Sequence, residues 1–176
     1  WRRGVVGGAA SRLRGLVDAG RAPLGPQPLD AEGLAGLRRR DPFGQPLPGL
    51  VVVGSHVALA DQQLKSLLAD ERCRGIELPA ARIARVLEGG SPDLLLPDLE
   101  AEWRRQLELA LEEGLTPVLF TSRGELEFGA GEAAAARRLR FGMELASLTA
   151  RLLAGVAPRL GHLISKGGIT TGTLLV

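Results

Sequence analysis

The stretch Leu50–Leu68, "LVVVGSHVALADQQLKSLL", decides the fold. "LVVV" is a short, continuous apolar run, the pattern of a strand buried on both faces. Gly54-Ser55-His56 then interrupts it with small and polar residues. Beyond them Leu64, Leu67 and Leu68 fall on one helical face, with Asp61 near the start of that helix. A strand, a small polar turn and an amphipathic helix form the first half of a β–α–β unit, and such units build parallel sheets.

The same alternation continues downstream. "GIEL" (Gly75–Leu78) reads as a second strand, and Pro79 opens a helix through Leu87 that Gly89 and Gly90 end. "SPDLLLPD" (91–98) reads as a loop. Trp103, Leu107, Ala110 and Leu111 mark another helix, stopped by Gly114. "PVLFTS" is a third strand. Phe141, Leu145, Leu148, Leu152 and Val156 then recur at helical spacing until Pro158 breaks the helix. "HLIS" (162–165) is a fourth strand, and "KGGITTG" is the turn that follows it. The expected fold is α/β: a three-layer, mostly parallel sheet with helices on both faces, in a single domain. Strand order is not legible.

Upstream the pattern is different. Residues 9–20 read as a short helix closed by Gly20. Residues 21–49 are rich in Pro and Gly and read as a connector with one helix around Leu34 and Leu37. The division is a linker over 1–47 and a folded unit over 48–176. The start "WRRGVVGGAASRLRG" is too short in its apolar run and too rich in glycine for a signal peptide, and the chain reads as a piece of a longer protein, incomplete at both ends.

Composition bounds the partners. The chain has 176 residues, 45 % of them apolar, enough for a core of its own. Aromatics make up 3 % and tyrosine is absent, so Leu, Val, Ile and Ala must fill that core. Net charge is +2, from two lysines and 20 arginines set among 20 acidic residues. The arginines are scattered rather than clustered, which argues against nucleic acid as a partner. No run approaches the ~20 apolar residues of a membrane span. The single Cys73 excludes an internal disulfide and suits the cytoplasm.

Three strand ends carry small polar residues: Gly54-Ser55-His56, Thr121-Ser122-Arg123, and Lys166-Gly167-Gly168-Ile169-Thr170-Thr171. In a parallel sheet all three emerge on one edge, where ligands of such sheets bind. Glycine lets the backbone approach an anion, helix N-termini offer free N–H groups, and the hydroxyls can donate to phosphate oxygens. Lys166 and Arg123 are candidate charge partners for that phosphate. The ordinary alternative for Gly54-Ser55 is a strand-to-helix turn with a capping serine, and for Gly167-Gly168 a tight turn. Neither loop matches a Walker motif or the dinucleotide fingerprint.

Other residues carry less. His56 sits in a ligand loop but reads as a surface or supporting residue, and His162 as structural. Two histidines and one cysteine at unrelated spacing give no metal site. Cys73 lies between arginines that would lower its pKa, against the plainer reading of a partly buried thiol. Trp103 reads as a packing residue.

Taken together, "LVVVGSHVALADQQLKSLL", "VLFTSRGE" and "HLISKGGITTG" resemble the C-terminal nucleotide-binding domain of the four-carbon acid sugar kinases. The helix "FGMELASLTARLLAGV" lies where that family has one before its glycine-pair strand, and residues 9–20 are similar to the segment joining its two domains. The resemblance implies an ATP-dependent kinase, with Mg²⁺, acting on threonate- or erythronate-like acids, the acid being held by an N-terminal domain. By position, Gly54 and Ser55 would contact nucleotide, Gly167, Gly168, Ile169 and Thr170 would form the phosphate turn, and Thr121 and Ser122 would line the cleft. Two departures stand out. Ala60-Asp61 replaces a pair of threonines, and Thr170-Thr171-Gly172-Thr173 replaces Thr-Ser-Ser-Asp. The catalytic carboxylate would lie outside this chain, so no catalytic residue is assigned and the chain alone is expected to be inactive.

Two rival readings remain. One is a non-catalytic, degenerate module of the same fold that binds nucleotide or a partner. The other is a dinucleotide oxidoreductase, which Glu77 suits by its distance from Gly54 but which lacks the second and third glycines. Oligomeric state is open, a homo-oligomer included.

Overall fold

The computed structural model describes residues 30–89, 92–123 and 128–167. The elements run α1 (Ala31–Gly36), β1 (Gly49–Val53), α2 (Ala58–Leu68), β2 (Cys73–Leu78), α3 (Ala80–Glu88), α4 (Pro92–Glu112), β3 (Thr116–Thr121), α5 (Glu132–Val156), a 3₁₀ turn (Ala157–Arg159) and β4 (His162–Lys166). The expected short helix over 9–20 lies outside the described residues.

The four strands form one parallel sheet in the order β2-β3-β1-β4. Val51 stands opposite Val118 on one side and Ile164 on the other. All five residues of β1 are buried, as a central strand covered on both faces requires. Alternation along the strands splits the core in two. Leu50, Val52, Ile76, Leu78 and Leu119 join Ile83 of α3, Leu99, Trp103 and Leu107 of α4, and Leu148 and Leu152 of α5. Val51, Val53 and Val118 pack instead against Ala60 and Leu64 of α2.

This division follows from chain direction. The β1-to-β2 connection runs one way along the sheet, while the connections to β3 and to β4 run the other way. With crossovers of a single hand, α2 must lie on one face and α3, α4 and α5 on the opposite face. The chain therefore leaves the neighbours β1 and β3 toward opposite faces, which opens a crevice between their carboxyl ends.

Of the expected loop over 91–98, residues 92–98 are instead the first part of α4, and residue 91 lies outside the described residues. Pro92 takes the first helical position, where a missing N–H costs nothing. Pro97 lies inside the helix and forfeits one backbone bond. Burial of Leu99, Trp103 and Leu107 along one face outweighs that loss. Gly114 ends the segment as expected, in the left-handed region at φ 74°.

The connector is more ordered than its composition suggests. Asp30 caps α1 through Gly33 N at 2.7 Å. Arg40 and Pro46 form an antiparallel bridge around a turn in which the Asp41 carboxylate accepts from the N–H groups of Phe43 and Gln45. Arg39 N donates to Gly161 O at 2.9 Å and Gly161 N to Pro48 O at 2.7 Å, which ties this turn to the start of β4. His162, expected to be structural, lies against Gly49 at this same end of the sheet, opposite the crevice.

Candidate nucleotide site

The three polar strand ends sit side by side because β1 lies between β3 and β4. The turn after β1 is held from both flanks. On the β4 side, Gly54 N donates to Lys166 O at 2.8 Å. Gly167 follows at φ 135°, where a Cβ would stand 3.2 Å from both Gly54 C and Ser55 N. Only glycine brings two strand-end turns this close, and the approach leaves both backbones free of side chains, with the Gly54 N–H taken by Lys166 O. The Lys166 ammonium donates to the side-chain oxygen of Gln63 on α2.

On the β3 side, His56 Nε2 and Thr121 Oγ1 are 3.0 Å apart, bridging the crevice. Arg123 Nη1 donates to Ser55 O at 2.6 Å and lies 3.2 Å from Asp61 Oδ1 near the start of α2. Ser122 serves α3 instead. Its hydroxyl accepts from Ala80 N at 2.9 Å and so caps that helix, whose own N-cap position is held by Pro79.

Between the ends of β1 and β3 lies a cavity of about 110 Å³, lined by Gly54, His56, Leu78, Thr121 and, from α5, Gly142 and Thr149. Its floor is apolar and its hydroxyls belong to Thr121 and Thr149. Thr149 Oγ1 donates to Leu145 O at 2.8 Å, which fixes its rotamer. The volume falls below the roughly 300–1,000 Å³ of sites that enclose a drug-sized ligand. It is too small to enclose a nucleotide, so most of such a ligand would lie along the mouth of the crevice.

Gly54, Ser55, Thr121, Ser122, Arg123, Lys166 and Gly167 are thus neighbours at one edge. Gly168, Ile169 and Thr170 lie outside the described residues. The α5 wall was not anticipated from sequence. Its signal is Gly142, Ala146 and Thr149, small or hydroxylic residues at i, i+4 and i+7 beside the apolar stripe.

Among the described residues no group of three His, Cys, Asp or Glu side chains is placed to hold a metal. Asp61, a carboxylate at this edge, is paired with Arg123. The described residues do not build a magnesium cage, so a magnesium ion here would be held mainly by the ligand's phosphates and water. Cys73 follows the plainer reading, a partly buried thiol, rather than the arginine-activated one. Burial first, then the Asp70 carboxylate, push the thiol above its ordinary 9.0, and Arg72 only partly opposes them.

Among the described residues no helix is long and apolar enough to cross a membrane. No curated protein and no solved structure matches the chain. A family model does: the nucleotide-binding C-terminal domain, over residues 50–176, from the first residues of β1 onward. The chain belongs to this family, the C-terminal domain of the four-carbon acid sugar kinases, and its role is to bind a nucleotide.

Proposed function

We propose that this chain is the ATP-binding part of a kinase that phosphorylates a hydroxyl of a four-carbon sugar acid of the threonate or erythronate type. The observation that carries the reading is the convergence of three small-residue strand ends on one crevice in a chain of this family. Phosphoryl transfer asks the protein mainly to position phosphates and neutralise their charge. Gly54, Ser55 and Gly167 supply close backbone and a hydroxyl, and Gly168, Ile169 and Thr170 would continue that cradle. Lys166 brings a cation held by Gln63. Thr121 forms part of the crevice wall with His56. Magnesium would enter with ATP and spread the charge of its phosphates. A substrate domain outside these residues would supply the acceptor and the base, in the cytoplasm.

Calorimetric titration with Mg-ATP, with NAD as control, tests the reading. Saturable binding of ATP and none of NAD is expected. Binding of NAD instead, or of neither by a chain with a cooperative melt, would overturn it. The second reading, a binding module without chemistry, is favoured by Thr173 at the position where the resemblance expects aspartate. A threonate phosphorylation assay on a polypeptide that also carries the substrate domain separates the two, since the module would bind ATP without turnover.

A further inference from the structure

We infer that the Nε/Nη2 edge of Arg123 is an oxyanion-binding fork of this site, shaped to take two oxygens of one phosphate group. The inference rests on the nucleotide reading above and narrows Arg123 from a candidate charge partner to a two-donor fork. Nη1 donates to Ser55 O at 2.6 Å and lies 3.2 Å from Asp61 Oδ1. The bond to Ser55 O anchors the guanidinium, while Asp61 Oδ1 stands in ion-pair range and accepts no hydrogen bond among the described residues. Its other donors are free: Nε and Nη2 are shielded from solvent and neither has a hydrogen-bond partner among the described residues.

That leftover pair has a specific shape. In a guanidinium the Nε–H and one Nη2–H point the same way, at the spacing of two oxygens on a carboxylate or phosphate. Shielded charged donors without partners are costly, and a native protein that keeps two of them on one side chain calls for an explanation. A bound oxyanion would satisfy both donors at once. The side chain as a whole retains 27 % of its exposure, so the fork lies just beneath the surface. Its anchor is the carbonyl of Ser55, in the turn that Gly167 approaches within 3.2 Å. The anion that this edge gathers is phosphate, and the carboxylate of a sugar acid is the competing source of the same geometry.

The test is a titration series on the 176-residue chain. Pyrophosphate, threonate, adenosine, AMP, ADP and Mg-ATP are titrated into wild type, Arg123→Lys and Arg123→Ala, with a thermal melt of each. Lysine keeps the charge and a contact to Ser55 but cannot form the fork, so it controls for folding. Pyrophosphate is expected to bind wild type and to weaken about 10- to 100-fold in both variants. Among the nucleotides the loss should appear with the one that first places a phosphate on the fork, stay the same for longer ones and vanish for adenosine. Failure of wild type to bind pyrophosphate, unchanged affinity in the variants, or an equal loss for adenosine in the lysine variant would each overturn the fork. Arginine-dependent binding of threonate but not of pyrophosphate would assign it to a carboxylate and overturn the phosphate assignment. Arginine-dependent pyrophosphate binding without ATP binding would leave the fork standing and defeat the nucleotide reading instead.

Discussion

Gly167→Ala puts the site's construction to a quantitative test. The residue holds φ 135°, a region that side chains avoid, and its Cβ would meet Gly54 C and Ser55 N at 3.2 Å. Both contacts are backbone, so neither can swing aside as a side chain would. The conformational cost alone is about 1–3 kcal/mol. For a chain of this size each kcal/mol lowers Tm by roughly 2–4 °C, so the variant should melt about 2–12 °C below wild type. The clash also has a direction. Relief means moving Gly167 away from Gly54-Ser55 against the 2.8 Å bond from Gly54 N to Lys166 O. A loss of about 1.4 kcal/mol in one charge-assisted phosphate contact would weaken Mg-ATP about tenfold. Gly142→Ala is the comparison for stability alone, because nothing lies within 4 Å of its Cβ and it sits inside α5, although it lines the cavity. It should stabilise by about 0.5–1 kcal/mol. Calorimetry and thermal melts on the two variants check both effects. If Gly167→Ala melts with wild type and binds ATP equally well, the close approach of the two turns is not what the site depends on.

Three other outcomes follow from the same structure. Leu152 is fully buried between α5 and the sheet, so Leu152→Ala should cost about 2–5 kcal/mol in urea unfolding, and a loss under about 1 kcal/mol would contradict this packing. Burial, and then the Arg38 guanidinium, hold the His162 imidazole below its ordinary 6.5. The unfolded chain then takes up the proton first, so this contribution is complete above about pH 6.5 and shrinks as pH falls through the window beneath it. Melts from about pH 7.5 down to about pH 5.5 should fall less steeply in His162→Gln than in wild type, and parallel curves would remove His162 as the cause. Cys73, with its thiol pushed up by burial and Asp70, should react with iodoacetamide at about pH 7.5 more slowly than glutathione, whereas equal rates would restore the arginine-activated thiol.

The central strands were legible because burial on both faces leaves unbroken apolar runs, as at Leu50–Val53, and the glycines and hydroxyls at the strand ends marked the candidate site. The span 91–98 misled because two prolines look like punctuation. One of them occupies a first helical position that suits it, and the other is carried by the buried face that begins at Leu99. Strand order has no local signature, and most of the site's geometry depends on it. A sheet in sequential order would place β2 between β1 and β3. Their separation would double from about 4.8 Å to about 9.6 Å. The 3.0 Å contact of His56 with Thr121 and the 2.6 Å bond of Arg123 to Ser55 O would then span an intervening strand. The cavity would lose its walls for the same reason, since Gly142 and Thr149 reach it only by lying over the junction of β1 and β3. Residue types thus specify what each loop could offer a ligand, while the insertion of β3 beside β1 specifies that the loops lie together. It follows that a change at the β1–β3 junction should disturb all three loops at once, whereas a change within one loop should leave the other two in place.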